Sequence, residues 1–214
     1  NYRLITFYYH ETEVKSPVIS VIKNGKLWEK KLYNEYENIL NNESIVIDIG
    51  AFIGTHTACF STLAKQVYAF EPCSKPYDSL KTMIKENDLD NVLLFNMAIS
   101  DKAQEKELMT NYDGDSRFKE HTRSNKFKHC ELIQCRSLDS FNLSKVDLIK
   151  IDTEKHEWNV LDGSKETIER CRPSILLETF KSYKNQYKLD EWTKNNNYKY
   201  KWLRGDDYLL TPIN

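Results

Sequence analysis

Apolar positions fall into two patterns along the chain. Ile45-Val-Ile-Asp48-Ile49 is a short β-branched run broken only by Asp48. Such a run suits a central parallel strand covered on both faces. Similar runs over 66–71, 91–97, 146–152 and 173–178 predict four further strands. Helical spacing separates them. Leu27, Trp28, Leu32, Tyr33, Tyr36, Ile39 and Leu40 make one amphipathic face over 27–40, and helices are predicted over 56–64, 77–86, 159–170 and 187–196. Strands alternating with helices predict an α/β fold with helices on both faces of a parallel sheet. Before this core, 4–9 and 18–22 read as two strands, followed by the turn signal Asn24-Gly25. After it, 198–202 and 208–211 read as a terminal antiparallel pair around Arg204-Gly205-Asp206. The least regular stretch is 102–135, with a strand at 131–135. No repeat or linker interrupts the chain, so residues 1–214 are expected to form one domain, with 1–42 as an N-terminal extension and 43–214 as the core.

The glycines after the first strand narrow the ligand. Gly50 and Gly54 remove side chains where the chain must turn and a ligand approach the backbone. A dinucleotide fingerprint starting at Gly50 needs glycines at 52 and 55, where Phe52 and Thr55 stand, and no Walker Gly-Lys-Ser/Thr occurs. What remains is Asp-x-Gly-x-x-x-Gly, followed by Glu71 at the end of the next strand, 23 residues after Asp48. An acid at that distance can hold ribose hydroxyls. The pattern resembles the S-adenosylmethionine (SAM) signature of Rossmann-like methyltransferases. A plain strand-turn-helix is the alternative.

Composition adds constraints. The 214 residues are 40% hydrophobic and 29% charged, with a net charge of −1. There is no global basic field for a phosphate backbone, which argues against a nucleic-acid substrate. The basic run Arg117, Lys119, His121, Arg123, Lys126, Lys128 and His129 reads as a solvated loop or as a substrate lid. Five cysteines without a CxxC read as reduced thiols of a cytoplasmic protein, and the His129, Cys130, Cys135 spacing fits no common zinc pattern. No signal peptide or membrane span is visible. The chain begins at Asn1, which fits one domain of a larger polypeptide.

A second constellation follows the 146–152 strand: Asp152, Glu154, His156 and Glu157. The carboxyl end of such a strand faces the ligand crevice. Methyl transfer to a hydroxyl needs a held acceptor and a group to take its proton. A histidine with a pKa near ~6.5 can take it, and carboxylates can orient sugar hydroxyls, orient the histidine or hold a divalent metal. Glu157 serves equally as a helix-start acid.

Taken in order, Ile47-Asp48-Ile-Gly50-Ala51-x-Ile53-Gly54, Ala69-Phe-Glu71-Pro72, Asn96-x-Ala98-x-Ser100-Asp101, Ser137-Leu-Asp139, Ile149-Lys-Ile-Asp152-x-Glu154-x-His156-Glu157 and Arg172-Pro173 with Leu177-Glu178 resemble the FkbM-type SAM-dependent methyltransferases. The resemblance covers roughly 27–211. It implies a class I fold with a mostly parallel, seven-stranded sheet, and O-methylation, frequently of sugars or polyketide hydroxyls. It also implies that Asp48, Gly50, Ala51 and Gly54 hold the methionine end of SAM. Glu71 would take the ribose hydroxyls, Pro72 would shape that turn, and Asn96, Met97 and Ala98 would lie by the adenine. Asp152, Glu154 and His156 would face the acceptor. S-adenosylhomocysteine is the implied product. Phe52 stands where the family often has Asn, and Lys155 where it often has Gly. The expected acceptor is a sugar or glycan hydroxyl. Alternatives are a small natural product, a nucleic acid, or a SAM-binding module without catalysis.

Overall fold

The computed structural model describes residues 4–11, 15–122 and 126–213. Arg123 of the basic run lies outside them. The chain opens with α1 (Pro17–Lys23) and α2 (Lys30–Ile39), then β1 (Ile45–Ile49), α3 (Thr55–Leu63), β2 (Gln66–Phe70), α4 (Ser74–Glu86) and β3 (Val92–Phe95). Next come β4 (Ala98–Ile99), β5 (Gln104–Thr110), β6 (Ser116–Phe118), a 3-10 turn at Lys119–His121, β7 (His129–Arg136) and a second 3-10 turn at Leu138–Phe141. The last third is β8 (Leu148–Ile151), α5 (Glu157–Asp162), α6 (Lys165–Cys171), β9 (Ser174–Glu178), α7 (Tyr183–Asn195), β10 (Tyr198–Arg204) and β11 (Asp207–Pro212).

Seven strands form one sheet in the order β10-β11-β9-β8-β1-β2-β3. The sheet is mixed, which corrects the expectation of a mostly parallel one. The pairings β9–β8, β8–β1, β1–β2 and β2–β3 are parallel, while β10–β11 and β11–β9 are antiparallel. Strand alternation divides the core. Ile47, Ile49, Ile149, Ile151, Ile175 and Leu177 face Val160, Leu161, Ile168 and Leu189 on one side. Val46, Leu148 and Leu176 pack with Leu32, Tyr36, Phe60, Leu80 and Met83 on the other. Both faces of β1 and β8 are therefore buried, as their unbroken apolar sequences require.

Four differences from the sequence pattern have local causes. Residues 18–22 are helical because Ser16 caps α1, accepting the Val18 N–H at 3.3 Å, with Pro17 pre-set for the first turn. Residues 4–9 join no sheet; the Asn87 side chain pairs with both Thr6 backbone groups, at 2.9 and 2.8 Å. The helix expected over 159–170 is two helices, broken at Gly163. A Cβ there would sit 1.9 Å from the Ser100 carbonyl oxygen, so the small sheet's connection crosses at this point. Finally, the described part of 102–135 is not irregular. Together with β4 it forms a second, four-stranded sheet in the order β4-β7-β5-β6. Long polar side chains on its exposed face hid the alternation, in which only Leu108, Ile133 and Cys135 are fully buried on β5 and β7 among apolar residues.

Among the described residues no helix is long and apolar enough to cross a membrane. Asp139 ties the second 3-10 turn to α6: its carboxylate accepts the Glu166 and Thr167 N–H groups at 3.1 and 2.8 Å. Those are otherwise orphan donors of the first helical turn. Asp139→Ala should cost about 1 kcal/mol in urea unfolding, whereas the exposed Asp162→Ala should change little.

Candidate active site

The carboxyl ends of β1, β2, β8 and β9 open into a cavity of about 340 Å³. In a parallel sheet this end is where neighbouring loops diverge and leave a crevice. The N-terminal extension supplies part of the wall through Ser16, Pro17, Trp28 and Glu29, and the second sheet supplies Leu108, Ser116 and Phe118.

Of the residues expected from sequence, Gly50, Ala51, Glu71, Pro72, Met97, Ala98, Asp152, Glu154 and His156 line the cavity. Asp48, Gly54 and Asn96 do not, and each has another position. Gly54, at φ +90°, packs against α4; a Cβ would meet Leu80 Cδ1 at 2.4 Å and Met83 Cε at 2.5 Å. Asn96 donates its side-chain amide to the Glu71 and Pro72 carbonyls, both at 3.0 Å, and so shapes the turn after β2. Asp48 is fully buried, accepting the Thr57 hydroxyl at 2.6 Å, with Lys150 Nζ 3.6 Å away. Gly50 lines the cavity, but its lack of a side chain is required elsewhere: at φ +81°, a Cβ would fall 1.8 Å from the Asp152 carbonyl oxygen. The Gly50 and Ala51 N–H groups both donate to the Phe70 carbonyl, at 3.0 and 3.1 Å.

Glu71 directly follows β2, with its carboxylate buried. The Phe52 and Cys73 N–H groups each donate to one of its oxygens at 2.8 Å. Phe52 holds a left-handed φ of +51°, which turns its N–H toward Glu71. Burial pushes Glu71 up to about 7, against the pull of those two amides.

Lys150 was the residue that sequence reading passed over; its signal was a lone lysine in the apolar strand Leu148–Ile151. It is 3% exposed, and Nζ lies 3.3 Å from the Gly50 carbonyl oxygen and 3.2 Å from Asp152 Oδ2. Burial opposes its charge, but Asp152, Asp48 and Glu178 outweigh that and raise its pKa. Burial likewise opposes the charge on Asp152, and Lys150 outweighs it, holding the carboxyl below its usual range. Glu178, at the end of β9, is pushed up by the Asp152 charge and then by burial. Asp152 is therefore the ionised member of this pair and Glu178 the protonated one.

Glu154 and Lys155 hold φ values of +52° and +84°, so the backbone here has the left-handed conformation a glycine adopts without strain. The turn survives with lysine in the second position. Glu154 is pushed up to about 7 by burial, then by Asp152 and Asp115; Arg117, whose Nη2 is 3.4 Å from Oε2, opposes the rise.

His156 is 1% exposed, and both ring nitrogens are engaged. Nε2 is 2.9 Å from Ser100 Oγ and Nδ1 is 3.1 Å from His121 Nε2. Burial, and then Lys106 and His121, drive its pKa down to about 3. His56, also in the cavity wall, stands between the Tyr36 hydroxyl (2.8 Å) and Glu29 Oε2 (3.2 Å). Among the described residues, Asp152, Glu154 and His156 do not converge as a metal-ligand set. Nor do His129, Cys130 and Cys135, where strand alternation sends the two thiols to opposite faces. Three cations of the basic run are paired: Arg117 with Asp115 at 3.0 Å, Lys119 with Glu107 at 2.7 Å, and Lys126 with Asp115.

The cavity wall is acidic. Glu29, Glu71, Asp113, Asp115, Asp152, Glu154 and Glu178 line it, against Lys150, with Arg117 beside Asp115 and Glu154 and Arg204 beside Glu29. Such a wall favours a cationic ligand and disfavours a polyanion.

A family model of the methyltransferase FkbM domain matches residues 48–200. No curated protein matches the chain. Among solved structures, an FkbM methyltransferase from Methylobacillus flagellatus KT superimposes with a TM-score of 0.60 at 15% identity, over 95% of this chain and 56% of that one. The present chain thus spans little more than half of that relative's length. An rRNA methylase from Streptococcus thermophilus gives 0.53 at 14% identity, over 85% of this chain and 94% of its own. A Streptococcus mutans protein in complex with SAH gives 0.52 at 14%, over 85% and 94% respectively. At these identities the structural likeness is one of fold.

Breaking the charge cluster under the cavity should be costly. Lys150→Met leaves the buried Asp48, and Asp152 at the cavity edge, without their cation, a change worth roughly 3–5 kcal/mol. Urea unfolding should show that loss at pH 7. The same experiment on the exposed Lys165→Met should show almost none.

Proposed function

The chain belongs to the FkbM methyltransferase family, and from that premise we propose that it is a SAM-dependent O-methyltransferase whose acceptor is a carbohydrate hydroxyl. The observation that carries the cofactor reading is the acidic cavity at the strand ends, with buried Glu71 on its wall. SAM bears a sulfonium and an ammonium, and both suit this wall. The residues also fit its remaining parts. Glu71 spends one acceptor position per oxygen on backbone amides, and a carboxylate has about four, so positions remain for ribose hydroxyls. Pro72 shapes that turn. Phe70, Met97, Ala98 and Ile99 offer an apolar wall for the adenine. Gly50 and Ala51 contribute surface rather than N–H donors. Asp48 acts through Lys150, which fixes the Gly50 carbonyl and Asp152. His56, Glu29 and Asp152 are the polar groups for the methionine end.

SAM, when bound, supplies an electrophilic methyl group for in-line displacement by the acceptor oxygen. The base is Glu154 rather than His156. A base must have a free lone pair and a pKa near the working pH. Glu154 lines the cavity and is held near 7, while His156 has both nitrogens engaged and is a weak base. His156 therefore positions the loop that carries Glu154.

The carbohydrate reading is supported by a second cavity, of about 420 Å³, beyond Glu178. It is lined by Phe180, Tyr183, Asn185, Gln186 and Tyr208, and Tyr183 is 90% exposed. Aromatic faces beside side-chain amides suit a sugar ring and its hydroxyls. The pairing of Arg117, Lys119 and Lys126 with carboxylates weighs against RNA. The five cysteines are free, which supports a reducing, cytoplasmic setting.

Calorimetry of SAM and S-adenosylhomocysteine with wild type and Glu71→Ala tests the cofactor. Wild type should bind both, and the variant should bind at least about tenfold more weakly, the loss expected for hydrogen bonds to a charged group. A folded wild-type chain that binds neither ligand would sink the SAM assignment. Labelled SAM with oligosaccharides, small hydroxylated natural products and RNA then separates the acceptors. Binding without turnover on any of them would mark a non-catalytic module.

The base has its own signature. Turnover should rise with pH as Glu154 ionises, reach half its plateau at about pH 7, and level above that. Glu154→Gln should lower kcat by about 10²–10⁴, lose this inflection, and keep SAM affinity. A variant that keeps the wild-type pH profile would return the base to another group.

A further inference from the structure

The small sheet and the loop after β8 meet at a cluster whose one part in the methyltransferase reading is the positioning role of His156. We propose that His156, His121 and Glu120 form a binding site for a divalent transition metal, with Zn²⁺ as the best match. This proposal is independent of the cofactor and acceptor assignments above.

Geometry brings the three groups together from distant parts of the sequence. Glu120 and His121 lie on the 3-10 turn after β6, and His156 precedes α5. One ligand atom from each lies within 4.8 Å of the others. His121 Nε2 is 3.1 Å from His156 Nδ1 and 3.7 Å from Glu120 Oε1. A tetrahedral zinc, with bonds of ~2.0–2.1 Å, separates adjacent ligand atoms by roughly 3.3 Å. The observed spacings bracket that value.

The second, independent observation is the tautomer of His156. Ser100 Oγ donates to Asp101 Oδ1 at 2.8 Å. A serine hydroxyl has one proton, so at 2.9 Å the same oxygen accepts from His156 Nε2–H. Nδ1 is then the nitrogen with the lone pair, and it points at His121. This Asp101–Ser100–His156 chain is the outer support that metal-bound histidines use to fix ring orientation and raise basicity. Phe118, with its ring centroid 4.5 Å from that of His156, blocks rotation of the ring.

Binding requires one rearrangement. The His121 proton that bridges to His156 Nδ1 must move to His121 Nδ1 by exchange with water, leaving Nε2 free. Both imidazoles stay neutral, and no net proton is released. Lys106 Nζ donates to Glu120 Oε1 at 2.6 Å, but the carboxylate keeps further acceptor positions. The Glu120 side chain is 51% exposed and that of His121 27%, so the metal can arrive from solvent and a water can fill the fourth position. The bound ion would pin the 3-10 turn, and β6 with its cavity residues Ser116 and Phe118, to the loop that carries Glu154.

The test uses the full chain without an affinity tag. Zn²⁺ calorimetry should give one saturable site, and Co²⁺ should give the intense visible absorption of tetrahedral cobalt. His121→Ala removes a ligand from a partly exposed position, so the fold should survive, as circular dichroism would check; affinity should fall at least about 100-fold. Ser100→Ala removes the acceptor that sets the His156 tautomer and should weaken binding by about 10–100-fold, and His129→Ala should leave it unchanged. A folded wild-type chain with no saturable Zn²⁺ site would overturn the proposal. So would a folded His121→Ala chain that binds as tightly as wild type.

Discussion

The crossing of the chain ends above β1 and β8 is the constraint on which the site depends. The Asp152 carbonyl approaches Gly50 so closely that no side chain fits between them. Lys150, buried in β8, reaches across the same gap to the Gly50 carbonyl and to Asp48. One ammonium thus fixes the loop after β1 relative to the loop after β8. Its removal from water is costly, and Asp48 and Asp152 beside it make its charge tolerable.

A second consequence follows from charge balance. The acids at the cavity outnumber the cation beneath it, so they cannot all be ionised without cost. Glu178 yields to Asp152 and holds its proton, and Glu154 is left near neutrality. The cavity is thereby sorted into an ionised floor and a titrating rim. A cationic ligand would relieve the floor, and a group with a pKa near 7 at the rim is suited to proton transfer. His156, which carries the more familiar chemistry, is instead enclosed by Phe118, Ser100 and His121 and serves as a joint between the two sheets.

Much of the fold was legible in the order of residues. β1, β2, β8 and β9 are apolar runs of the right length, and burial on both faces leaves such runs few other options. The glycine spacing with Glu71 pointed to the cavity, and Glu71, Pro72, Met97, Ala98, Asp152 and Glu154 all line it. Local polar chemistry was harder to read. Ser16-Pro17 outweighed the β-branched 18–22 stretch, and Gly163 divided a helix because a distant carbonyl crosses there.

The sequence by itself determined the periodicities, and through them the α/β layering, the strand ends and the identity of the residues near the crevice. These follow from short-range rules about which residues can be buried together. Only the tertiary structure decided which groups share a proton, which face the cavity and which are spent on holding the fold. Gly54 and Asp48 carry the motif yet serve packing and charge support, while Lys150 lay unnoticed within a strand. Such distinctions depend on distances between residues about 100 positions apart, and on the low dielectric that makes each of those distances count. No reading along the chain contains either quantity.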